Sequence, residues 1–221
     1  MHKLDRTSVA TPPCLANYSY PAQSWDDLAA PCKQELRDAL ALMQGSPSAV
    51  PCCAYCEGRI FHEGHIEHFR RKHVGHFPQL TFAWSNLFFA CGSNVHCGHY
   101  KDRRGAPPYD PSQLIKPDEH EPDSYLFFHS SGEVRVRGGL NAADALRAEE
   151  TIRVFGLDNG VLAGARANAI SVYKKKVLPD LSELASWPLA DQQAYLAEEV
   201  EATRHDPYAS TVKHFLQSSI G

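Results

Sequence analysis

Apolar positions fall at helical spacing in two parts of the chain, and the stretch between them keeps no single period. In the first part, Leu36, Leu40 and Met43 share one face of a helix predicted over residues 24–44. Ser24 with Asp27 three positions on opens it in the manner of a capping box, Pro31 marks where its regular part begins, and Gly45-Ser46-Pro47 stops it. In the second part the pattern predicts four helices. They run from Asn141 (with Asp144) to about Val154, from Asn159 to Lys176, from Pro188 through Thr203, and from Pro207 to about Gln217. Tyr125–His129 and Glu133–Arg137 flank Ser130-Ser131-Gly132 and read as a β-hairpin. Arg59-Ile60-Phe61 and His65-Ile66-Glu67-His68 are short enough for a second, smaller hairpin, and Leu80–Ala90 reads as a buried run. Residues 1–22 read as an extended arm whose Leu4, Val9 and Leu15 pack on the body, and the proline-rich stretch 105–122 as a wrapped loop.

Composition narrows the class. With 221 residues, 43% of them hydrophobic and 22% charged, the chain can build one full-sized core and is not disordered. No apolar run approaches the ~18–20 residues of a membrane span, and no export signal opens the sequence, so the expectation is a cytoplasmic protein without a membrane partner. Five of the seven cysteines fall between Cys52 and Cys97. That crowding points to metal binding in a reducing compartment rather than a disulfide framework, with Cys14 and Cys32 reduced.

A net charge of −4 hides an asymmetry. Residues 58–104 hold seven Lys/Arg against three acids, a balance of +4, and seven of the twelve histidines. Cations, imidazoles and thiols therefore share one segment. The chain divides accordingly into an N-terminal arm and helix (1–47), a His/Cys core with hairpin (48–140) and an acidic helical region (141–221).

Cys53-Ala-Tyr-Cys56 followed by Cys91 and Cys97 supplies four thiolates, the donor set of a tetrahedral structural zinc site. Cys52 is an alternative to Cys53 at the cost of a longer spacer. A two-Cys two-His finger from Cys53, Cys56, His68 and His73 is one residue short in its central spacing and leaves Cys91 and Cys97 without purpose. His65-Ile66-Glu67 has a deaminase-like spacing, but the paired cysteines precede it rather than follow it. What remains is Glu67-His68. A carboxylate that helps hold a divalent ion, beside a neutral imidazole that takes a proton from water, suits phosphodiester hydrolysis. Asn86 and His99 flank the second cysteine pair, so a zinc closing Cys53/Cys56 onto Cys91/Cys97 brings them toward His68.

Cys-x-x-Cys-Glu, Ile-Glu-His-Phe-Arg, Trp-x-Asn-Leu-Phe and Cys…Cys-x-x-x-Lys together resemble the HNH endonucleases. The closer similarity is to the PtuB-type HNH proteins of Septu and retron-associated anti-phage systems, over most of residues 1–180. The resemblance implies an α+β, mainly helical protein with a treble-clef-like ββα-metal core. It implies that His68 is the general base, that Glu67 and His99 bind catalytic Mg²⁺ or Mn²⁺, and that Asn86 orients the base through its loop. Arg70, Arg71 and Lys101 would contact the phosphates of a DNA or RNA substrate. The chain departs from the family in two places: Arg71 stands where a proline is common, and Gly98 separates Cys97 from His99. The second departure leaves His96 as a rival for the last metal position. The chain has no phosphate-binding Gly-x-x-x-x-Gly-Lys loop, so the resemblance also implies a separate, PtuA-like ATPase partner in a bacterial cytoplasm. A non-catalytic zinc module that binds nucleic acid or protein is the alternative from another class.

Overall fold

Ser24 and Asp27 form the expected box: the backbone N–H and the hydroxyl of Ser24 both donate to the Asp27 carboxylate, at 2.7 and 2.8 Å. A one-turn 3-10 segment at Trp25–Asp27 follows, then helix α1, Ala30–Met43, which buries Cys32, Leu36, Leu40 and Met43. The structure, a computed structural model, describes residues 1–45, 50–61, 64–184 and 186–218, the side chains of 178–182 aside. Ser46 and Pro47, expected to end the first helix, lie outside the described residues.

Strand β1, His65–His68, pairs antiparallel with β2, Leu87–Ala90, in the register His65 to Ala90 and His68 to Leu87. The smaller hairpin expected with Arg59–Phe61 does not form. Those residues close a tight knuckle instead, in which the Ile60 N–H donates to Pro51 O and Arg59 bridges Cys52. Every side chain of β2 is buried, so β2 offers β1 an apolar partner that 59–61 cannot. A short helix α2, Cys97–Asp102, follows β2. The second sheet is the expected hairpin, β3 Leu126–Phe128 with β4 Val134–Val136. Gly132 in its turn has φ +87°, and a Cβ there would lie 1.9 Å from the Ala163 carbonyl oxygen, so only glycine lets the turn press on the following helices.

Helix α3, Ala142–Phe155, begins at Asn141, whose side chain accepts the Asp144 N–H at 2.9 Å, and ends at Gly156 in the left-handed region. Helices α4 (Gly160–Leu184), α5 (Leu189–Ala202) and α6 (Ala209–Gln217) complete the chain, and α4 runs beyond the expected Lys176. The molecule is mixed α+β and about half helical when its short 3-10 turns are counted. One core gathers Leu4 and Leu15 of the arm, α1, both strands of the first sheet, the hairpin and α3. A smaller one, centred on Tyr173, Val177, Leu196 and Leu216, joins the last three helices. Among the described residues no helix is long and apolar enough to cross a membrane.

Cys14 and Cys32, expected reduced, are joined as a disulfide with Cα atoms 5.7 Å apart. The arm makes a 3-10 turn at Pro13–Asn17, and burial of Leu15 brings that turn against the start of α1. The arm is thus fastened covalently to the helix that underlies β2.

Asp123 joins the hairpin region to α6. Its carboxylate lies 3.3 Å from His214 Nε2 and also pairs with Lys213. Burial alone would raise this carboxyl; hydrogen bonds from His214 and Lys213 outweigh it and hold the carboxyl at about 2. A depressed acid contributes stability above its unfolded value and loses it as pH falls through the folded one. The stability advantage of wild type over Asp123→Asn is therefore expected to be about 2 kcal/mol at pH 6 and to vanish between pH 4 and 2. Urea unfolding of both proteins across that range measures it, and a pH-independent difference would contradict the pairing.

Candidate metal centre and adjoining polar site

The knuckle after Pro51 is built by backbone bonds from Cys53 N to Gly58 O and from Glu57 N to Cys53 O, with Glu57 in the left-handed region at φ 64°. This folds Cys53 and Cys56 back on each other, and the Ala54 N–H donates to Phe89 O to lay the knuckle against β2. Cys91 follows β2 directly and Cys97 opens α2, so the second pair comes from the strand-to-helix connection. The four sulfurs lie within 4.8 Å of one another, and Cys56 Sγ is 3.9 Å from Cys91 Sγ. Four sulfurs around one zinc at about 2.3 Å stand about 3.8 Å apart, so this donor set fits a structural zinc ion. Hydrogen bonds from Cys53, Cys56 and Cys97 drive the Cys91 thiol far down, while the Cys56 and Cys97 thiols are pushed up. The Cys91 thiolate forms readily while Cys56 and Cys97 resist, a charge balance that a dication corrects. Among the described residues these are the only three or more His, Cys, Asp or Glu groups whose ligand atoms converge. Cys52, the alternative to Cys53, stands outside the group, with its thiol raised to about 12, chiefly by burial.

The pleat of β1 divides the predicted polar residues between two sides. Toward α2, the Glu67 carboxylate lies 2.8 Å from Lys101 Nζ through Oε1 and 3.1 Å from His65 Nε2 through Oε2. Burial would raise Glu67, but Lys101, then His65, hold it at about 2, so it is ionised. His99 stacks on His65 with ring centroids 3.8 Å apart, and burial lowers its pKa. Gly98 permits this packing, since a Cβ there would meet Glu67 Oε2 at 2.4 Å. His96, the rival for the last position, is turned the other way: its Nδ1 lies 3.2 Å from Cys97 Sγ and 3.7 Å from Cys91 Sγ, against the cysteine group.

On the other side, His68 is 4% exposed. Its Nε2 lies 3.0 Å from the Thr81 carbonyl oxygen, which can only accept, so Nε2 carries the proton and Nδ1 the lone pair. Burial, then the nearby Lys72, push its pKa down to about 4, so the ring is neutral at physiological pH. The Trp25 ring meets it edge to face at 4.4 Å. Asn86 fixes the loop that carries Thr81. Its Oδ1 accepts the Arg70 N–H at 2.8 Å, and its Nδ2 donates to Arg70 O and Leu80 O at 2.9 and 3.2 Å. One amide thus ties both ends of the segment between Arg70 and Leu80.

Lys101 is not the phosphate-facing cation expected of it. It is 1% exposed, and its ammonium is spent on Glu67, on Asp102 at 2.8 Å and on the His68 carbonyl oxygen at 3.0 Å. Arg71 is largely engaged as well, with Asp102 at 2.7 Å and with Lys101 O. Among the described residues the Arg70 guanidinium makes no ion pair, and it lies over the Phe77 ring at 5.6 Å. Sequence reasoning missed three members of the site. His65 carried the signal of sharing a strand face with Glu67 two positions on; Trp25 and Thr81 carried none.

Because Lys101 neutralises a buried carboxylate, Lys101→Met is expected to destabilise the protein by about 3–5 kcal/mol. Adding Glu67→Gln should recover a large part of that loss. Equal instability of the single and double variants in denaturant unfolding would show that Lys101 acts by packing alone.

A scan against protein-family models and a search of curated proteins return no match to this chain.

Proposed function

We propose that this protein is a metal-dependent HNH-type endonuclease that hydrolyses phosphodiester bonds. The observation that carries the reading is the His68 imidazole. It is neutral, fixed in one tautomer by Thr81 O, and stands at the end of β1 against a loop closed by Asn86, with the ionised Glu67 on the other side of the strand. The order knuckle, β1, β2, α2, with one cysteine pair in the knuckle and the other at the β2–α2 junction, supports a ββα-metal core of the treble-clef kind. In this mechanism Nδ1 of His68 takes the proton of the attacking water, while Nε2–H stays on Thr81 O and keeps the ring from turning. The resemblance gives Glu67 and His99, on the other side of β1, as the residues that would hold Mg²⁺ or Mn²⁺, which when bound would offset charge developing on the phosphate; Lys101 and His65 would have to release the Glu67 oxygens first. Arg70 and Lys72 are the cations left to meet phosphate oxygens. The family resemblance alone extends the proposal to an anti-phage effector working with an ATPase partner.

A second reading, a non-catalytic zinc module, is favoured by one observation: Glu67 already has Lys101 and His65 on its two oxygens. The test is incubation of the zinc-loaded protein with plasmid DNA, and separately with RNA, with Mg²⁺ or Mn²⁺ added. Cleavage that needs the added ion and that His68→Ala lacks supports the nuclease. Equal rates for wild type and His68→Ala, or no cleavage of either polymer, favours the module.

A further inference from the structure

The loop closed by Asn86 has a second face. A cavity of about 480 Å³ lies between it and residues 106–111. The loop contributes Arg71, His76 and Phe77 to its wall, and the facing segment contributes Pro108, Tyr109 and Asp110. Two aromatic rings therefore line a cleft that shares its loop with the His68 site.

Each ring is accompanied by a guanidinium, Arg70 over Phe77 at 5.6 Å and Arg71 over Tyr109 at 4.8 Å. The exposed crest of the loop adds Lys72, His73 and His76, and no acid lies between Arg70 and Leu80. The one carboxylate in the wall, Asp110, accepts the Ser112 N–H through Oδ1 at 2.8 Å. A ligand matching this chemistry is flat and aromatic, carries N–H donors on one edge, and is joined to a polyanion.

We propose that this cleft takes an unpaired nucleobase of a nucleic-acid strand whose backbone crosses the His68 site. The inference rests on the nuclease reading and names its substrate class: a strand with at least one base free of a duplex. A base in a duplex has both faces stacked and cannot enter, whereas an unpaired one gains a stack on Phe77 or Tyr109, with the loop cations on its phosphates. The substrate is thus discriminated by strandedness.

The probe is a single-stranded DNA oligonucleotide carrying 2-aminopurine, alone or annealed to its complement, with an RNA of the same sequence as a parallel arm. It is titrated with the zinc-loaded protein without added Mg²⁺ or Mn²⁺. Stacking should quench 2-aminopurine in the single strand and not in the duplex. Phe77→Leu, which keeps bulk and removes the π-face, should weaken single-strand binding roughly 5- to 150-fold and leave duplex binding unchanged. Phe77→Tyr should bind as wild type does. Absence of quenching by wild type overturns the proposal whether or not the variants fold. So does a folded Phe77→Leu that binds the single strand as tightly as wild type.

Cleavage of the same strands by wild type and His68→Ala separates the two ideas. Cleavage that depends on His68, with single-strand binding indifferent to Phe77, removes the cleft and leaves the nuclease. Quenching that depends on Phe77, without cleavage, removes the nuclease and leaves the cleft as a binding site.

Discussion

Cys91→Ser, or stripping the wild type with a strong chelator, is expected to unfold the middle of this protein rather than loosen it. A structural zinc in a four-cysteine site contributes roughly 10–16 kcal/mol of apparent binding energy. The whole net stability of an ordinary domain is about 5–15 kcal/mol. The sulfurs here fasten three separate pieces, namely the knuckle, the end of β2 and the start of α2. The damage should also travel. Glu57, next to Cys56, accepts the Tyr208 N–H on its carbonyl oxygen, and its carboxylate takes Ser210 Oγ at 2.6 Å. The Met1 amino group and His2, at the start of the arm, reach the same carboxylate at 3.2 and 2.9 Å. Releasing the knuckle therefore unhooks α6 and the arm together. Bound zinc near one per chain, a cooperative thermal transition that collapses with chelator, and loss of near-ultraviolet circular dichroism in Cys91→Ser are the expected results. A Cys91→Ser protein that melts like wild type would show that the sulfurs are merely packed.

The features legible in the sequence were those with local causes. Ser24 with Asp27 and Asn141 with Asp144 are three-residue contacts; Asn141 opens α3 as expected, whereas the Ser24 box closes a separate 3-10 turn and α1 itself begins only at Ala30. Gly132 marks its hairpin because a turn pressed on a helix leaves no room for a Cβ. The cysteine group was legible because a two-residue spacer has few ways to present two sulfurs to one point. The features that were not legible join distant residues. Nothing local tells His65–His68 to prefer Leu87–Ala90 over Arg59–Phe61; the choice follows from burial of β2 in a core that includes α1 and the arm. Cys14 meets Cys32 where Leu15 and the Ala29 N–H bond to Tyr18 Oη hold the arm on the start of α1. Lys101 looked like a phosphate contact because a lysine near a basic patch has a surface prior, which the buried Glu67 overrides.

Under the proposed nuclease function, replacing Asn86 is expected to cost nearly as much cleavage as replacing His68, although Asn86 would touch no substrate. General-base catalysis by a positioned imidazole contributes roughly 10²–10⁴-fold, so His68→Ala should lose that much. The contribution exists only while the ring keeps its tautomer and direction, and both come from Thr81 O, 3.0 Å from Nε2. That carbonyl is held where it is because the Asn86 amide bonds Arg70 and Leu80, the neighbour of Thr81, at once. Asn86→Ala takes from the Arg70 N–H and carbonyl their side-chain partner and frees the loop, so the imidazole loses its anchor. Asn86→Asp keeps the acceptor for the Arg70 N–H but sets an anion against two carbonyl oxygens, and it should be no better. Residues that work as one unit do not add. The double variant His68→Ala/Asn86→Ala should therefore cut no more slowly than His68→Ala alone, while zinc content stays at the wild-type level in all three. Independent roles would instead multiply the two losses. A double variant slower than His68→Ala by the full factor of Asn86→Ala would mean that the amide acts on something other than the base.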